Sequence, residues 1–174
     1  MIDNGGLNPI RPRPPVRLFN TPIEAGFRLL FILSECRPAP CDLQRLISYD
    51  YLLVHSGDVS SEFDSLHPAV PNRGTEWVVK RDVIHVGLRL MFARDLVEKR
   101  LTNKGIHFVG SELTTSFVRL LTSPYADALR DRARWLARTF GEYTDEALQN
   151  YMAQQVGRWG AEFDNIAAIR EIDL

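Results

Sequence analysis

Between Thr21 and Pro38 the chain permits little besides one buried helix. Thr21-Pro22-Ile23-Glu24 places threonine at an N-cap, proline at the first helical position and glutamate three residues past the cap. That is a capping box, with proline where its missing N–H costs no hydrogen bond. Ile23, Phe27, Leu30 and Ser34 fall on one face, and Leu29, Phe31 and Leu33 widen the apolar stripe. A helix this apolar is mostly buried. It must stop before Pro38, and Arg37-Pro38-Ala39-Pro40 makes a stiff connection, because a residue preceding proline is pushed out of the helical region.

The chain has 174 residues, long enough to bury a sizeable core around that helix, and one domain with an appendage is the expected division. Its 21 Lys+Arg against 22 Asp+Glu exclude a generic polycation that coats nucleic acid. No apolar run is long enough to span a membrane. Met1-Ile2-Asp3-Asn4-Gly5-Gly6 has neither the basic nor the apolar stretch of a secretory signal. Two cysteines do not make a disulfide scaffold, so the expected compartment is a reducing cytoplasm.

Ahead of the first helix, residues 1–18 hold Pro9, Pro12, Pro14 and Pro15 with Arg11, Arg13 and Arg17, which reads as a flexible, polyproline-like tail. Beyond it, Asp42 caps a second helix through Leu43, Leu46 and Ile47 toward Leu53. Residues 55–76 then change character: His55-Ser56-Gly57-Asp58, Ser60-Ser61, His67-Pro68 and Pro71-Asn72-Arg73-Gly74 are turn chemistry throughout. A loop of about twenty residues is unusual in a compact domain, and such loops often bind something. A third helix is expected from about Arg81 to Asp95, with Ile84, Leu88 and Met91 as its core stripe. Val97-Glu98-Lys99-Arg100-Leu101 and Ile106-His107-Phe108-Val109 flank Thr102-Asn103-Lys104-Gly105, a β-hairpin with Asn and Gly available for positive φ. A helix follows through Phe117, Leu120 and Leu121. Ser123-Pro124 caps the next, with Tyr125, Leu129, Ala133, Leu136 and Phe140 at helical spacing, and a last one begins near Thr144.

The expected fold is mainly α with a small β-hairpin wing, a winged-helix-like domain plus C-terminal helices. Its parts are the 1–18 tail, the winged-helix-like domain at 19–122 with the long 55–76 loop, and a helical extension at 123–174. In a winged helix the element before the wing is the one that enters a DNA groove. Residues 80–109 carry seven Lys/Arg against three Asp/Glu. Arg81, His85 and Arg89 share a helix face, while Lys99, Arg100 and Lys104 sit on the hairpin, so Arg81, Arg89, Lys99, Arg100 and Lys104 are candidate phosphate contacts. Against this, Asp82, Asp95 and Glu98 are interspersed, and the Arg81 face leads on to Phe92. The long loop also replaces the short turn of a helix-turn-helix. Sequence-specific reading, non-specific DNA contact within a larger complex, and a purely protein-binding wing all stay open.

Candidates for chemistry are sparse. His55, Asp58 and His67, near Asp50, have the right types for a metal or acid–base site, but their spacing matches no strong signature, and a role in shaping the loop is the simpler reading. Cys36 and Cys41 form a lone CxxxxC, a weak zinc signal; buried thiols at a helix end and a cap are the simpler account, with a redox pair the other. No nucleophile elbow, phosphate-binding lysine loop or dinucleotide fingerprint occurs, so no catalytic residue, cofactor or metal ligand is assigned. Arg130, Arg134 and Arg138 recur every four residues, yet Asp127 and Asp131 precede the first two by three, which describes a salt-bridged solvated face. Tyr151, Trp159 and Phe163 fall close to one face of the last helix and either close the core or insert into a partner.

Four blocks carry a resemblance. Phe19-Asn20-Thr21-Pro22-Ile23-Glu24-Ala25-Gly26, Tyr49-Asp50-Tyr51-Leu52-Leu53-Val54-His55-Ser56-Gly57-Asp58, Ser65-Leu66-His67-Pro68 and Leu121-Thr122-Ser123-Pro124-Tyr125 resemble the middle component of ABC three-component conflict systems. That family overlaps the small subunit of Lamassu-type bacterial defence systems, and the resemblance spans roughly residues 18–163. It implies a cytoplasmic accessory subunit without catalysis of its own, bridging an SMC-like ABC ATPase with coiled-coil arms to an effector, often a nuclease, with double-stranded DNA met through the complex. A partner-facing surface would then include Tyr51, His55, Asp58, His67, Tyr151, Trp159 and Phe163. The rival expectation is a free-standing winged-helix transcription regulator that binds DNA as a homodimer.

Overall fold

The computed structural model describes residues 21–68 and 73–155, with the side chains of 73–79 left undescribed. The 1–18 tail, Trp159 and Phe163 lie outside the described residues.

Helix α1 (Pro22–Cys36) starts as its sequence dictates. Thr21 accepts from the Glu24 N–H, and the Glu24 carboxylate accepts from the Thr21 N–H, so the capping box is complete. Ala25 and the run from Leu29 to Leu33 are buried, and α1 packs against the helices at 43–54, 73–92, 112–119 and 124–140 and against the strand at 105–110. After the 37–40 connection, a two-residue strand β1 (Cys41–Asp42) leads directly into α2 (Leu43–Val54), which Asp42 caps through the Arg45 N–H. A single 3₁₀ turn covers Ser56–Asp58.

Helix α3 runs Arg73–Phe92, longer at its start and shorter at its end than the 81–95 expected. Gly74 and Thr75 are weak helix formers, but packing rather than propensity carries most helical stability in a folded protein. The end is set by backbone closure. Asp95 takes a positive φ of 56°, and the Leu96 and Asp95 N–H groups return to the Met91 and Phe92 carbonyls. This is a Schellman arrangement with aspartate where glycine is usual. The loop expected at 55–76 is correspondingly shorter.

Strands β2 (Val97–Thr102) and β3 (Gly105–Gly110) form the hairpin, with Gly105 at φ 112°. Strand β1 adds to the free edge of β3, pairing Cys41 with Phe108, so the sheet is antiparallel in the order β1-β3-β2. Helix α4 (Glu112–Arg119) and helix α5 (Pro124–Phe140) follow, capped by Ser111 and Ser123. Residues 145–155 are helical. The fold is mostly helical with a small antiparallel wing. Leu129, Leu136, Phe140, Leu148 and Met152 share one core with α1 and α2.

Candidate functional site

Most of the described residues singled out in the sequence fall in two regions, one interior and one on the surface. The interior region begins with Arg28, a charged residue 2% exposed on the most apolar helix. It donates from Nε to Asp50 Oδ1 at 2.6 Å and from Nη2 to Oδ2 at 3.0 Å. Lys80 of α3 donates from Nζ to the same Oδ2 at 3.1 Å. Three helices are thereby joined at one carboxylate. Burial by itself would raise the Asp50 carboxyl, but the charges of Arg28 and Lys80 outweigh it and hold the group well below the usual carboxylate range.

Around this pair the 49–58 and 65–68 blocks interlock. Tyr51 donates its hydroxyl to Asp58 Oδ2 at 3.1 Å, and Lys80 Nζ lies 5.6 Å from the centre of the Tyr51 ring. Rings follow in series: Tyr51 to His55 at 4.7 Å, His55 to His67 at 6.2 Å, and His67 stacked on Tyr125 at 6.5 Å. His67 Nε2 and the Tyr125 hydroxyl are 3.1 Å apart. Burial, reinforced by the Arg28 and Lys80 charges, pulls His67 down to about 4, so the ring is neutral at neutral pH.

The stretch after α2 is pinned at both ends. The Val54 carbonyl accepts from the Leu66 and His67 N–H groups at 2.8 and 3.0 Å. Arg132 of α5 donates to Ser56 Oγ at 3.0 Å and to the Asp64 carbonyl at 2.7 Å, with its guanidinium 4.9 Å from the centre of the Phe63 ring. Tyr51 and His55 are thus inside the protein, at 0% and 1% exposure, and a partner at this face would touch Asp58 and His67 but not these two. The correction has a simple cause: the blocks look like a loop by composition, but their aromatic residues fill the space between α2, α3 and α5. Tyr151, half-buried, packs on Phe140 at 5.2 Å and Tyr143 at 6.4 Å, closing the core at that end. Among the described residues, no group of three His, Cys, Asp or Glu side chains is arranged to hold a metal ion.

The surface region is the outer side of α3 and the wing. Arg81, Arg89, Lys99, Arg100 and Lys104 are all exposed, with Ile84, Leu88 and Met91 on the buried side of α3. They do not form a single face. Lys99 pairs with Phe108 and Arg100 with His107 in the register, so the two cations leave the hairpin on opposite sides. Lys99 folds over the Phe92 ring at 4.5 Å, which brings it to the end of α3. On the same side, Leu101 and Ile106 face each other across the strands, 86% and 56% exposed. The arginine comb on α5 is a salt-bridged face, as expected: Arg130 pairs with Asp127, and Arg134 with Asp131.

Both regions fall within the stretch 18–162, which matches the family model for the ABC-three component (ABC-3C) system Middle Component 2. The chain belongs to this family. As an ABC-3C middle component it is an accessory of a three-component defence system, working in partnership with that system's other components. No curated protein and no solved structure matches it. No helix among the described residues is long and apolar enough to cross a membrane.

Sequence reasoning missed Arg28, Lys80, Tyr125 and Arg132 in this middle component. Two signals were present: Arg28 interrupts an apolar helix, and Arg132 keeps the spacing of Leu129, Ala133 and Leu136 rather than that of the exposed arginines.

Proposed function

We propose that this ABC-3C middle component is a non-catalytic subunit that bridges an SMC-like ABC ATPase with coiled-coil arms and an effector nuclease, in a Lamassu-type cytoplasmic complex directed against phages and plasmids. The observation that carries the reading is the use made of the polar residues in the distinctive blocks. Asp50 joins three helices through Arg28 and Lys80, Ser56 accepts from Arg132 of α5, and Asp58 accepts from Tyr51. Spent on internal contacts in this way, these polar residues support a body that presents surfaces to partners.

The surface presented is α3 with the wing. A helix, a short strand, two helices and a hairpin whose inner strand takes up the short strand support a winged-helix reading of residues 19–122, with 123–174 as a C-terminal extension. Arg81, Arg89 and Lys99 then face duplex DNA through the assembled complex, and the exposed Leu101 and Ile106 suit a protein contact beside it. Asp58 and His67, with Tyr151, Trp159 and Phe163, are the remaining candidate docking residues.

The test is a tagged pull-down from cells expressing the chain with the genes that flank it, read by mass spectrometry. Stoichiometric recovery of a large coiled-coil ATPase together with an effector supports the reading. Recovery of the chain alone, as a homodimer that shifts duplex DNA, overturns it in favour of a free-standing winged-helix regulator.

A further inference from the structure

Strand β2 ends the sheet. It pairs with β3 on one side, and among the described residues no strand pairs with it on the other. The register fixes which of its backbone groups point outward. Thr102 and Gly105 close a two-residue loop, and such a closing pair is hydrogen-bonded across the hairpin. Bonded and non-bonded pairs alternate along an antiparallel ladder, so Glu98, Arg100 and Thr102 turn their N–H and C=O groups toward β3. Those of Lys99 and Leu101 turn away from it, and among the described residues no backbone hydrogen bond reaches them.

Proteins usually blunt such an edge with a proline, a bulge, a very short strand or a covering element. Strand β2 has six residues, no proline and an unbroken register from Val97–Gly110 to Thr102–Gly105. Glu98, Lys99, Arg100 and Leu101 are all exposed, Leu101 most of all. Lysine is the residue that commonly guards an edge, but Lys99 lies over the Phe92 ring. The edge is open to a further strand.

Charge and register decide what kind of strand. With Lys99 drawn toward the end of α3, Arg100 is the cation left along the edge, and Lys104 adds another at the tip. A strand that fits carries an acidic residue opposite Arg100 and apolar residues opposite Leu101 and the Lys99 stem. A second copy of this chain fits badly. Two antiparallel copies of β2 must match outward residues with outward residues, so the two-fold axis falls on a residue. On Glu98, Lys99 or Arg100 it sets like charge against like, which is destabilising; on Val97 or Leu101 the strand runs out within a residue of the axis. Duplex DNA would meet the cationic side chains and leave the alternation of backbone groups unused.

We propose that the outer edge of β2 receives, by strand addition, an extended acidic and apolar segment of another protein. Lys99 and Leu101 supply the main-chain pairing, and Arg100 with Leu101 selects the side chains. The natural source of the segment is another component of the ABC-3C system, with which a middle component works.

The test is amide hydrogen exchange on the full chain, read residue by residue by NMR. In the chain alone, Arg100 and Thr102 should be protected while Lys99 and Leu101 exchange freely. Protection of the latter two without a ligand means that the edge is already covered, and overturns the proposal; protection that grows with protein concentration assigns the edge to a second copy and does the same. The probe is the synthetic peptide STVEVTS, capped at both ends, with STVKVTS as its charge-reversed control. Saturating STVEVTS should slow exchange at Lys99 and Leu101 at least about tenfold and leave Arg100 and Thr102 as they were. STVKVTS should not. Leu101→Pro removes an outward donor and no bond to β3, and should abolish the slowing at Lys99; Leu101→Thr keeps that donor and should retain it. Arg100→Glu should reverse the preference between the two peptides. No slowing with STVEVTS, equal slowing with both peptides, or slowing with a duplex oligonucleotide in their place would each overturn the proposal. The probe is defined, so a pull-down that returns the chain alone would sink the bridging role and leave this result standing.

Discussion

Arg28 meets Asp50 through two side-by-side hydrogen bonds of 2.6 and 3.0 Å, with both side chains inside the protein, and Lys80 closes on the same carboxylate. Removing one member of a buried ion pair leaves charge without its counterpart and typically costs about 3–5 kcal/mol. Asp50→Asn keeps the shape and removes the charge, so urea unfolding should report a loss of about that size. Arg28→Lys keeps the charge but loses the fork geometry, and its loss should be smaller. Wild-type stability in Asp50→Asn would mean that this carboxylate does not hold the three helices together.

Gly26 and Gly87 set how closely α1 and α3 approach. A Cβ on Gly87 would stand 2.7 Å from the Pro22 carbonyl oxygen and 2.8 Å from the Gly26 nitrogen, both backbone atoms that cannot swing aside. A Cβ on Gly26 meets Met91 Cε at 2.8 Å, the far end of a flexible side chain, and the Gly87 oxygen at 3.1 Å. Overpacking of this kind costs about 1–3 kcal/mol. Gly87→Ala should therefore lie at or above the top of that range and Gly26→Ala below it, measured by chemical denaturation of each variant. The reverse order would place the tight contact elsewhere.

Acidification should destabilise the protein in two stages. His67 sits at about 4 in the folded chain against an ordinary 6.5, lowered by burial and by Arg28, Lys80 and His55 against a smaller opposing effect of Asp50. Between those pH values the unfolded chain binds a proton that the folded chain refuses, so this contribution is present above about pH 6.5 and is lost as pH falls toward 4. Asp50, held below the carboxylate range, adds a second loss at lower pH, where the unfolded chain protonates first. Thermal melts should show a flat Tm above neutrality, a decline from pH 6.5 to 4, and a steeper one beneath. His67→Gln should flatten the first decline and leave the second. An unchanged first decline would assign it to another group.

Local signals were legible and distant pairings were not. Thr21, Asp42, Ser123 with Pro124, and the Thr102–Gly105 turn each declare themselves within four residues, and every one appears where expected. Strand β1 escaped notice because two residues make no periodic pattern, and it exists only because β3 offers an edge. Arg28, Asp50 and Lys80 are separated by 22 and 30 residues along the chain, and no local rule places them together. The five surface cations were found by charge and spacing, whereas their division between two sides of the wing follows from the strand register.

That register separates the roles of two adjacent residues. Lys99 lies on the side of Phe92 with the outer face of α3, while Arg100 leaves the hairpin on the side of His107. If α3 and the wing meet duplex DNA in the assembled complex, Lys99→Glu should weaken DNA engagement and lower the salt dependence by about one phosphate contact, roughly 0.9 in the log–log slope. Arg100→Glu should do much less. Lys99→Gln controls for the lost contact with Phe92, worth about 0.5–1 kcal/mol at an exposed site. Binding isotherms on duplex DNA at several salt concentrations, beside size-exclusion profiles of the complex, separate the cases. DNA affinity reduced with the complex intact fits phosphate contact through Lys99. A complex that falls apart with Lys99→Glu makes the Lys99 side, with exposed Leu101 and Ile106, a protein interface instead.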